Sequence, residues 1–343
     1  MTIERVLIVG GGSIGKRHFG IACQLLPGAT VSMLTRNKDS DGYAVPQKNQ
    51  LNFDEAVNFK PQIVVLANPS SKHLELADKF ADVGAHLLIE KPLSDSRAGV
   101  LELIDKCELH SSNLLCGYNL RFLSSLQRFR HLVQSSEVGK VFSVQSRVGQ
   151  NLAQWRPNFD YRKSVSAKRE LGGGVLLELS HELDYLRWIF GDVEWVWGEL
   201  SRQSFLQIDV EDSAQIILGF EEGVDGRKLI GNISLDFFRH DPLRDCTVVG
   251  ELGSIRWNGI LGIVEIWRQG DDAWKLESSF PGELEQSYVS EWLYFLHCID
   301  AKELELTSGR DSFKVLEIID AVRFSSEFGR KIFMYQMNKD DSE

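Results

Sequence analysis

No run of apolar residues in this chain approaches the ~20 needed to cross a bilayer, and nothing in it reads as a membrane-spanning helix. An excess of positive charge is missing as well. The 38 Lys and Arg face 49 Asp and Glu, a formal charge of −11, which argues against a general binder of nucleic acid or of anionic membrane and makes any anion site a local one. The five cysteines, Cys23, Cys107, Cys116, Cys246 and Cys298, are odd in number, far apart and form no CxxC pair. Neither a disulfide framework nor a zinc site is suggested by that pattern, and Cys116 reads as a small buried hydrophobe. No metal site is expected. No internal repeat or low-complexity segment is found, and no basic leader with an apolar h-region precedes the run Ile3–Val9. These absences fit a reduced, cytoplasmic compartment.

What is present is enough apolar material for two cores: 343 residues, 43% of them hydrophobic. Up to residue 117 short apolar runs at 4–9, 30–35, 62–67, 86–89 and 113–117 alternate with amphipathic stretches at 14–26, 70–83 and 94–110. That alternation predicts an α/β, Rossmann-type, doubly wound parallel sheet with right-handed crossovers, Ser70 and Ser94 being plausible caps of the second and third helices. Beyond about residue 121 the rhythm changes to longer alternating strands at 140–149 and across 193–280, punctuated by Glu221-Glu222-Gly223, Gly250-Glu251-Leu252-Gly253 and Gly270-Asp271-Asp272. An α+β domain with an open, mostly antiparallel sheet follows from it, with helices near 174–190, 286–302 and 311–328. The expected division is 1–121, 122–330 and a frayed tail, 331–343, with the C-terminal helix able to pack back on the first domain.

The first strand runs into Gly10-Gly11-Gly12-Ser13-Ile14-Gly15, which opens a helix. In that context Gly10 permits a tight turn, Gly12 lets backbone approach a pyrophosphate and Gly15 allows close helix-to-strand packing, with Ser13 and Ile14 at the helix N-terminus facing the phosphates. Where a ribose-binding carboxylate is expected, the second strand ends in Leu34-Thr35-Arg36-Asn37. Thr35 and Arg36 suit a 2′-phosphate, so NADP(H) is preferred and NAD(H) remains possible. Alternatively Arg36 stacks on the adenine or is solvated, and Asp39 or Asp41 takes the ribose hydroxyls. Asn68 and Pro69 fall at the carboxyl edge of the sheet, where such folds bind ligands, and His73 is given a capping or packing role.

The glycine turn, Asn68-Pro69 with His73, Glu90-Lys91-Pro92, Gly117-Tyr118-Asn119-Leu120-Arg121-Phe122, and Gly172-Gly173-Gly174 before a histidine-bearing helix together resemble the glucose-fructose oxidoreductase and inositol dehydrogenase family, Gfo/Idh/MocA. The resemblance covers nearly the whole chain. It implies a nicotinamide cofactor on an N-terminal Rossmann domain. It also implies a C-terminal sheet that supports homodimers or homotetramers, and redox chemistry at a hydroxyl or keto carbon of a sugar, cyclitol or sugar derivative. The triplet's lysine, Lys91, and the later histidine, His181, then stand beside the substrate, and the Trp155-Arg156 pair near the nicotinamide. Members commonly carry an aspartate four residues before the histidine; here Glu178 precedes His181 by three, so Glu178, Glu182 and Asp184 all stay open as its carboxylate partner.

The chemistry can be argued from the residues as well. Hydride exchange at a carbinol carbon needs a group for the hydroxyl proton and a cation to polarise the oxygen. Lys91 and His181 answer to those needs. Glu90 orients the backbone or the lysine and belongs with Lys91 to the cofactor-binding set; Asn119 could bond the nicotinamide ribose or carboxamide, and Arg121 reads as a hinge contact. Glu178, His181, Glu182 and Tyr185, spaced by three and four on an otherwise apolar helix, predict one polar stripe lining a cleft. Between 156 and 169 stand five basic residues and one acid, Asp160, with Trp155, Arg156, Tyr161 and Arg162 as substrate contacts. That loop suggests an anionic substrate such as a uronate or a nucleotide-linked sugar, unless it is simply solvated or at an interface. The competing reading of the chain is a catalytically silent dinucleotide sensor on the same scaffold; retention of Lys91 and His181 favours the enzyme.

Overall fold

The computed structural model describes residues 2–34, 46, 49–222, 228–303 and 306–337. In chain order the elements are β1 (Arg5–Val9), α1 (Ser13–Leu25), β2 (Thr30–Leu34), β3 (Gln50–Leu51), α2 (Phe53–Asn58), β4 (Ile63–Leu66), α3 (His73–Ala81), β5 (His86–Glu90), α4 (Val100–Leu109), β6 (Leu114–Gly117), α5 (Ser124–Gln134) and β7 (Val141–Gly149). There follow α6 (Val175–Glu178), α7 (His181–Phe190), β8 (Val193–Ser201), β9 (Ser213–Phe220), β10 (Ile230–Asp236), β11 (Leu243–Gly250), β12 (Gly253–Asn258), β13 (Ile263–Arg268), β14 (Lys275–Ser279), α8 (Glu283–Ala301), α9 (Gly309–Phe328), β15 (Ile332–Phe333) and α10 (Met334–Met337). The chain divides into two units, one of Met1–Tyr118 with Tyr288–Leu316, the other of Asn119–Ser287 with Glu317–Glu343.

The first unit holds a six-stranded parallel sheet in the order β3-β2-β1-β4-β5-β6. Its strands read as continuous apolar runs because both faces are covered: Val6, Leu7 and Ile8 of β1 and Ile63 to Leu66 of β4 are all fully buried. Strand order reverses between β1 and β4, the crevice where doubly wound sheets take their ligands. Val6, Ile8, Met33, Val65 and Leu88 share a core with Ile21 of α1 and with Trp292, Phe295 and Ile299. Those three aromatic and aliphatic side chains bind the 288–316 segment to the first unit, so the division differs from an unbroken second domain of 122–330.

Local details also depart from expectation. β3 is only two residues long and escapes any periodicity test. α3 starts at His73, after a single tight turn over Ser70–Lys72, and α4 starts at Val100, where Gly99 takes φ +77°. Neither Ser70 nor Ser94 is therefore a cap; the Ser94 hydroxyl instead accepts from Ser96 N–H at 3.5 Å.

The second unit carries a nine-stranded sheet ordered β14-β13-β12-β11-β7-β10-β9-β8-β15. It is mostly antiparallel, the exception being β7 alongside β10. Alternation with period two is plain in β7, where Val144, Ser146 and Val148 are buried while Gln145 and Arg147 are exposed. The Gly250–Gly253 turn joins β11 to β12 and the Gly270 turn joins β13 to β14; Gly223 lies outside the described residues. β15 pairs with β8 through Ile332 and Phe333, and α10 follows. Residues 332–337 are thus structured where a frayed tail is expected from the sequence. The predicted helix at 174–190 is broken: α6 ends at Glu178 and α7 begins at His181.

Candidate active site

In the first unit the glycine turn meets its steric requirements. Gly10 has φ +112°, and a Cβ there would stand 2.5 Å from Ala67 O; a Cβ on Gly15 would stand 1.9 Å from Gly10 O. Gly12 differs, because a Cβ on it would meet no atom of the described residues within 4 Å. Nothing among the described residues requires glycine at Gly12, which fits a backbone left bare for a ligand's phosphates. Gly12 caps α1 without a side-chain hydrogen bond, and both Gly12 and Ser13 are exposed at the helix start, with Ile14 half-buried beside them. These residues fit a dinucleotide pyrophosphate. Thr35, Arg36, Asp39 and Asp41, which bear on the ribose, lie outside the described residues.

Asn68 and Pro69 follow β4 on the same sheet edge. The Asn68 amide donates to Pro69 O at 3.3 Å, while its buried Oδ1 finds no donor among the described residues. Below them His73 is fully buried, its Nε2 2.8 Å from Asn68 O and its Nδ1 3.1 Å from Pro92 O. The ring ties the turn after β4 to the turn after β5, and burial holds its pKa below the usual histidine value. Its role is to join two loops rather than to cap a helix.

Glu90 ends β5 and Lys91 begins the next turn, with the Lys91–Pro92 bond cis. The Glu90 carboxylate points into the protein: Oε1 is 2.8 Å from His18 Nε2 and Oε2 accepts the Lys91 N–H at 3.3 Å. A Cβ on Gly117 would press on it at 3.2 Å from Cδ. Glu291 is fully buried, and its two oxygens have no hydrogen-bond partner among the described residues. Burial first, and the Glu90 carboxylate second, push its pKa well above the carboxylate range.

In the second unit, a cavity of about 120 Å³ is lined by Trp155, Arg156, Phe159, Tyr161, Ser166 and Glu178, among others. The structure brings together here four of the substrate contacts named from the sequence, Trp155, Arg156, Tyr161 and Glu178. Trp155 stands edge-on to Phe237 with ring centroids 5.3 Å apart, and its buried indole N–H has no acceptor among the described residues. Arg162 is not in the lining. It forks onto Asp160 at 2.8 and 2.9 Å, an ion pair that lowers the Asp160 pKa and raises that of Arg162. One of the loop's five basic side chains is therefore engaged within the loop, while its net charge is unchanged.

The single polar stripe is not what the structure shows, because the break at Leu179–Ser180 sends its members to separate neighbours. Glu178 lines the cavity; Glu182 is fully buried with Oε1 2.9 Å from Arg244 Nε; Tyr185 shares a 2.6 Å hydrogen bond with Ser146. Burial pushes the Tyr185 phenol well above its usual pKa. His181 is the first residue of α7 and is buried. Asp184 is held by a two-pronged pair with Arg121, at 2.9 and 2.6 Å, with both side chains almost wholly buried. Asn119 is buried and donates to Ser287 Oγ at 2.8 Å. Among the described residues no helix is long and apolar enough to cross a membrane, and no cluster of three His, Cys, Asp or Glu could hold a metal ion.

Comparison with known proteins gives a consistent result. Residues 4–118 match the oxidoreductase family with an NAD-binding Rossmann fold, and residues 126–256 match the GFO/IDH/MocA C-terminal domain. Myo-inositol 2-dehydrogenase of Thermotoga maritima is 26% identical over 78% of this chain and 78% of its own. Two solved structures share the fold. Levoglucosan dehydrogenase complexed with NADH and levoglucosan has a TM-score of 0.81 at 18% identity, covering 96% of this chain and 99% of that one. The WlbA dehydrogenase of Bordetella pertussis, complexed with NADH and UDP-GlcNAcA, has a TM-score of 0.77 at 22% identity, covering 96% and 98%. The chain belongs to the GFO/IDH/MocA family of NAD-binding oxidoreductases.

Proposed function

We propose that this oxidoreductase moves a hydride between a nicotinamide cofactor and the hydroxyl or keto carbon of a sugar, cyclitol or sugar derivative, and that its substrate carries an acidic group. The acidic group is argued from one observation, the presence of Arg156 among aromatic walls in the Trp155–Glu178 cavity. A guanidinium there matches a carboxylate or phosphate in a forked geometry, and Glu178 can accept from a hydroxyl. The buried Trp155 N–H offers a further donor. The relatives named for a cyclitol and for an anhydrosugar support the sugar-like class.

The nicotinamide, when bound, supplies the hydride acceptor or donor. Gly10, Gly12, Ser13, Ile14 and Gly15 would hold its pyrophosphate, Asn68 and Pro69 its nicotinamide half, and Thr35 with Arg36 a 2′-phosphate. Lys91 offers an ammonium to hold and polarise the reacting oxygen, and His181 takes up or returns the hydroxyl proton. Among the expected substrate contacts, Asp184 and Arg162 rank below Arg156 and Glu178, because Asp184 is paired with Arg121 and Arg162 with Asp160. Glu90, turned toward His18, is placed to support Lys91.

Nicotinamide absorbance, followed against neutral sugars and cyclitols and their uronate and sugar-nucleotide counterparts, tests the reading. Acidic substrates are expected to turn over, and Arg156→Ala to raise their KM by roughly 10- to 150-fold, the worth of a hydrogen bond to a charged group. Turnover of neutral sugars alone removes the acidic substrate; tight cofactor binding without any turnover favours a sensor. For the cofactor, NADP(H) is expected to bind more tightly than NAD(H), with Arg36→Ala weakening NADP(H) by about tenfold or more. Equal affinities before and after the substitution would sink the ribose argument.

A further inference from the structure

The end of β5 is held from behind by two residues that the proposed chemistry does not use. His18, on the inner face of α1, is fully buried, and so is Trp292 of α8. The Trp292 indole N–H donates to His18 Nδ1 at 2.8 Å, and His18 Nε2 stands 2.8 Å from Glu90 Oε1. An indole nitrogen can only donate, so Nδ1 must offer a lone pair and the ring hydrogen must be on Nε2. The tautomer is therefore dictated by Trp292, and it is the one that donates to the carboxylate. Glu90 Oε2 meanwhile accepts from the Lys91 N–H.

We propose that Trp292 and His18 are positioning residues: the indole donates to the imidazole and the imidazole to the Glu90 carboxylate, which also accepts the Lys91 N–H, and this chain of hydrogen bonds fixes the turn bearing Lys91. His18 faces a donor on one side and an acceptor on the other, and Glu90 accepts from both His18 and the Lys91 N–H, so a change at Trp292 is felt at Lys91 although the indole never touches it. Gly117 leaves room for the Glu90 carboxylate to turn inward, and Tyr288 closes the far side of the imidazole with ring centroids 5.9 Å apart. Glu291 lies buried beside this arrangement, its pKa pushed well above the carboxylate range by burial and by the neighbouring Glu90. Without the indole, His18 could put its hydrogen on Nδ1 and turn a lone pair toward Glu90, loosening the turn. The importance of this chain for catalysis rests on the role given to Lys91 above, but its existence does not.

Two measurements that need no substrate test it. Nitrogen NMR of the histidine-labelled full chain, with His18 assigned by its loss in His18→Gln, should show a single hydrogen on Nε2, and Trp292→Phe should bring in the Nδ1–H form. A wild-type ring carrying its hydrogen on Nδ1, or on both nitrogens, overturns the proposal. Hydrogen exchange read by mass spectrometry gives the second. His18→Leu should speed exchange in the peptide over Ile89–Leu93 by about tenfold or more, whereas His18→Gln, whose amide can accept from Trp292 and donate to Glu90, should restore protection. A role in packing alone makes the opposite prediction, since an apolar leucine suits a dry core as well as or better than a glutamine. Equal protection in the two variants, or better protection with leucine, would therefore refute it. Failure of the substrate panel leaves these readouts unmoved, so the two hypotheses fail separately.

Discussion

Lys91→Ala and His181→Ala are each expected to lower kcat by roughly 10²- to 10⁴-fold on an identified substrate, the usual worth of a positioned acid, base or charge donor. The two losses should differ in kind. Removing the ammonium takes away the group that polarises the reacting oxygen, so a small added amine should restore part of the rate in Lys91→Ala. Removing the imidazole takes away the proton acceptor, and the oxidation direction should then recover as pH rises and hydroxide substitutes for it. Lys91→Arg restores charge but not reach, because the planar fork cannot replace a point charge on a flexible stem, and its kcat should stay within tenfold of Lys91→Ala. Near-normal turnover in either alanine variant, with cofactor bound, would remove that residue from the mechanism.

The largest effect on stability is expected from Asp184→Ala. The Arg121–Asp184 pair is buried, with side-chain exposures of 2% and 1%. Such pairs contribute little relative to an apolar replacement of both members, yet removal of one member strands the other charge and costs about 3–5 kcal/mol. Arg130 aggravates the result. Both guanidinium groups lie over the Trp188 ring, at 5.7 and 4.5 Å, and the Arg130 pKa is already lowered by burial and by Arg121. A fall in Tm of roughly 6–20 °C follows for a unit of this size, and Arg121→Met with Asp184→Leu should recover most of it. If Asp184 served substrate instead, Asp184→Ala would raise KM with Tm unchanged, so one melting curve beside one kinetic series separates the roles.

Legibility in the sequence follows the range of the interactions. The strand, glycine turn and helix of residues 5–25 are local: apolar residues, a tight turn and a bare helix start fall within one short stretch, and the structure has them where the motif requires. The helix near 174–190 looks continuous because its apolar residues keep a helical period across Leu179 and Ser180. Nothing local marks the break. What diverts the chain is tertiary: Glu178 faces the cavity while Glu182 is drawn to Arg244, far along the chain on β11. The loop charges mislead for a different reason: composition counts Arg162 as a free base, whereas Asp160, two residues before it, holds it.

The residues alone determined the family, the parallel sheet of the first unit, the mostly antiparallel sheet of the second, and a short set of candidates for chemistry. Those features depend on period, turn residues and motif spacing, which are written in adjacent positions. Only the tertiary structure decided that Tyr288–Leu316 joins the first unit, that β7 runs parallel to β10, and which candidates face a cavity and which are held in internal pairs. His18, Glu90 and Trp292 make the point most sharply, separated by 72 and 274 residues from their hydrogen-bond partners. No pattern in the sequence ties an indole at 292 to an imidazole at 18, because hydrogen-bond partners across a core are chosen by the geometry of packed elements rather than by the order of the chain.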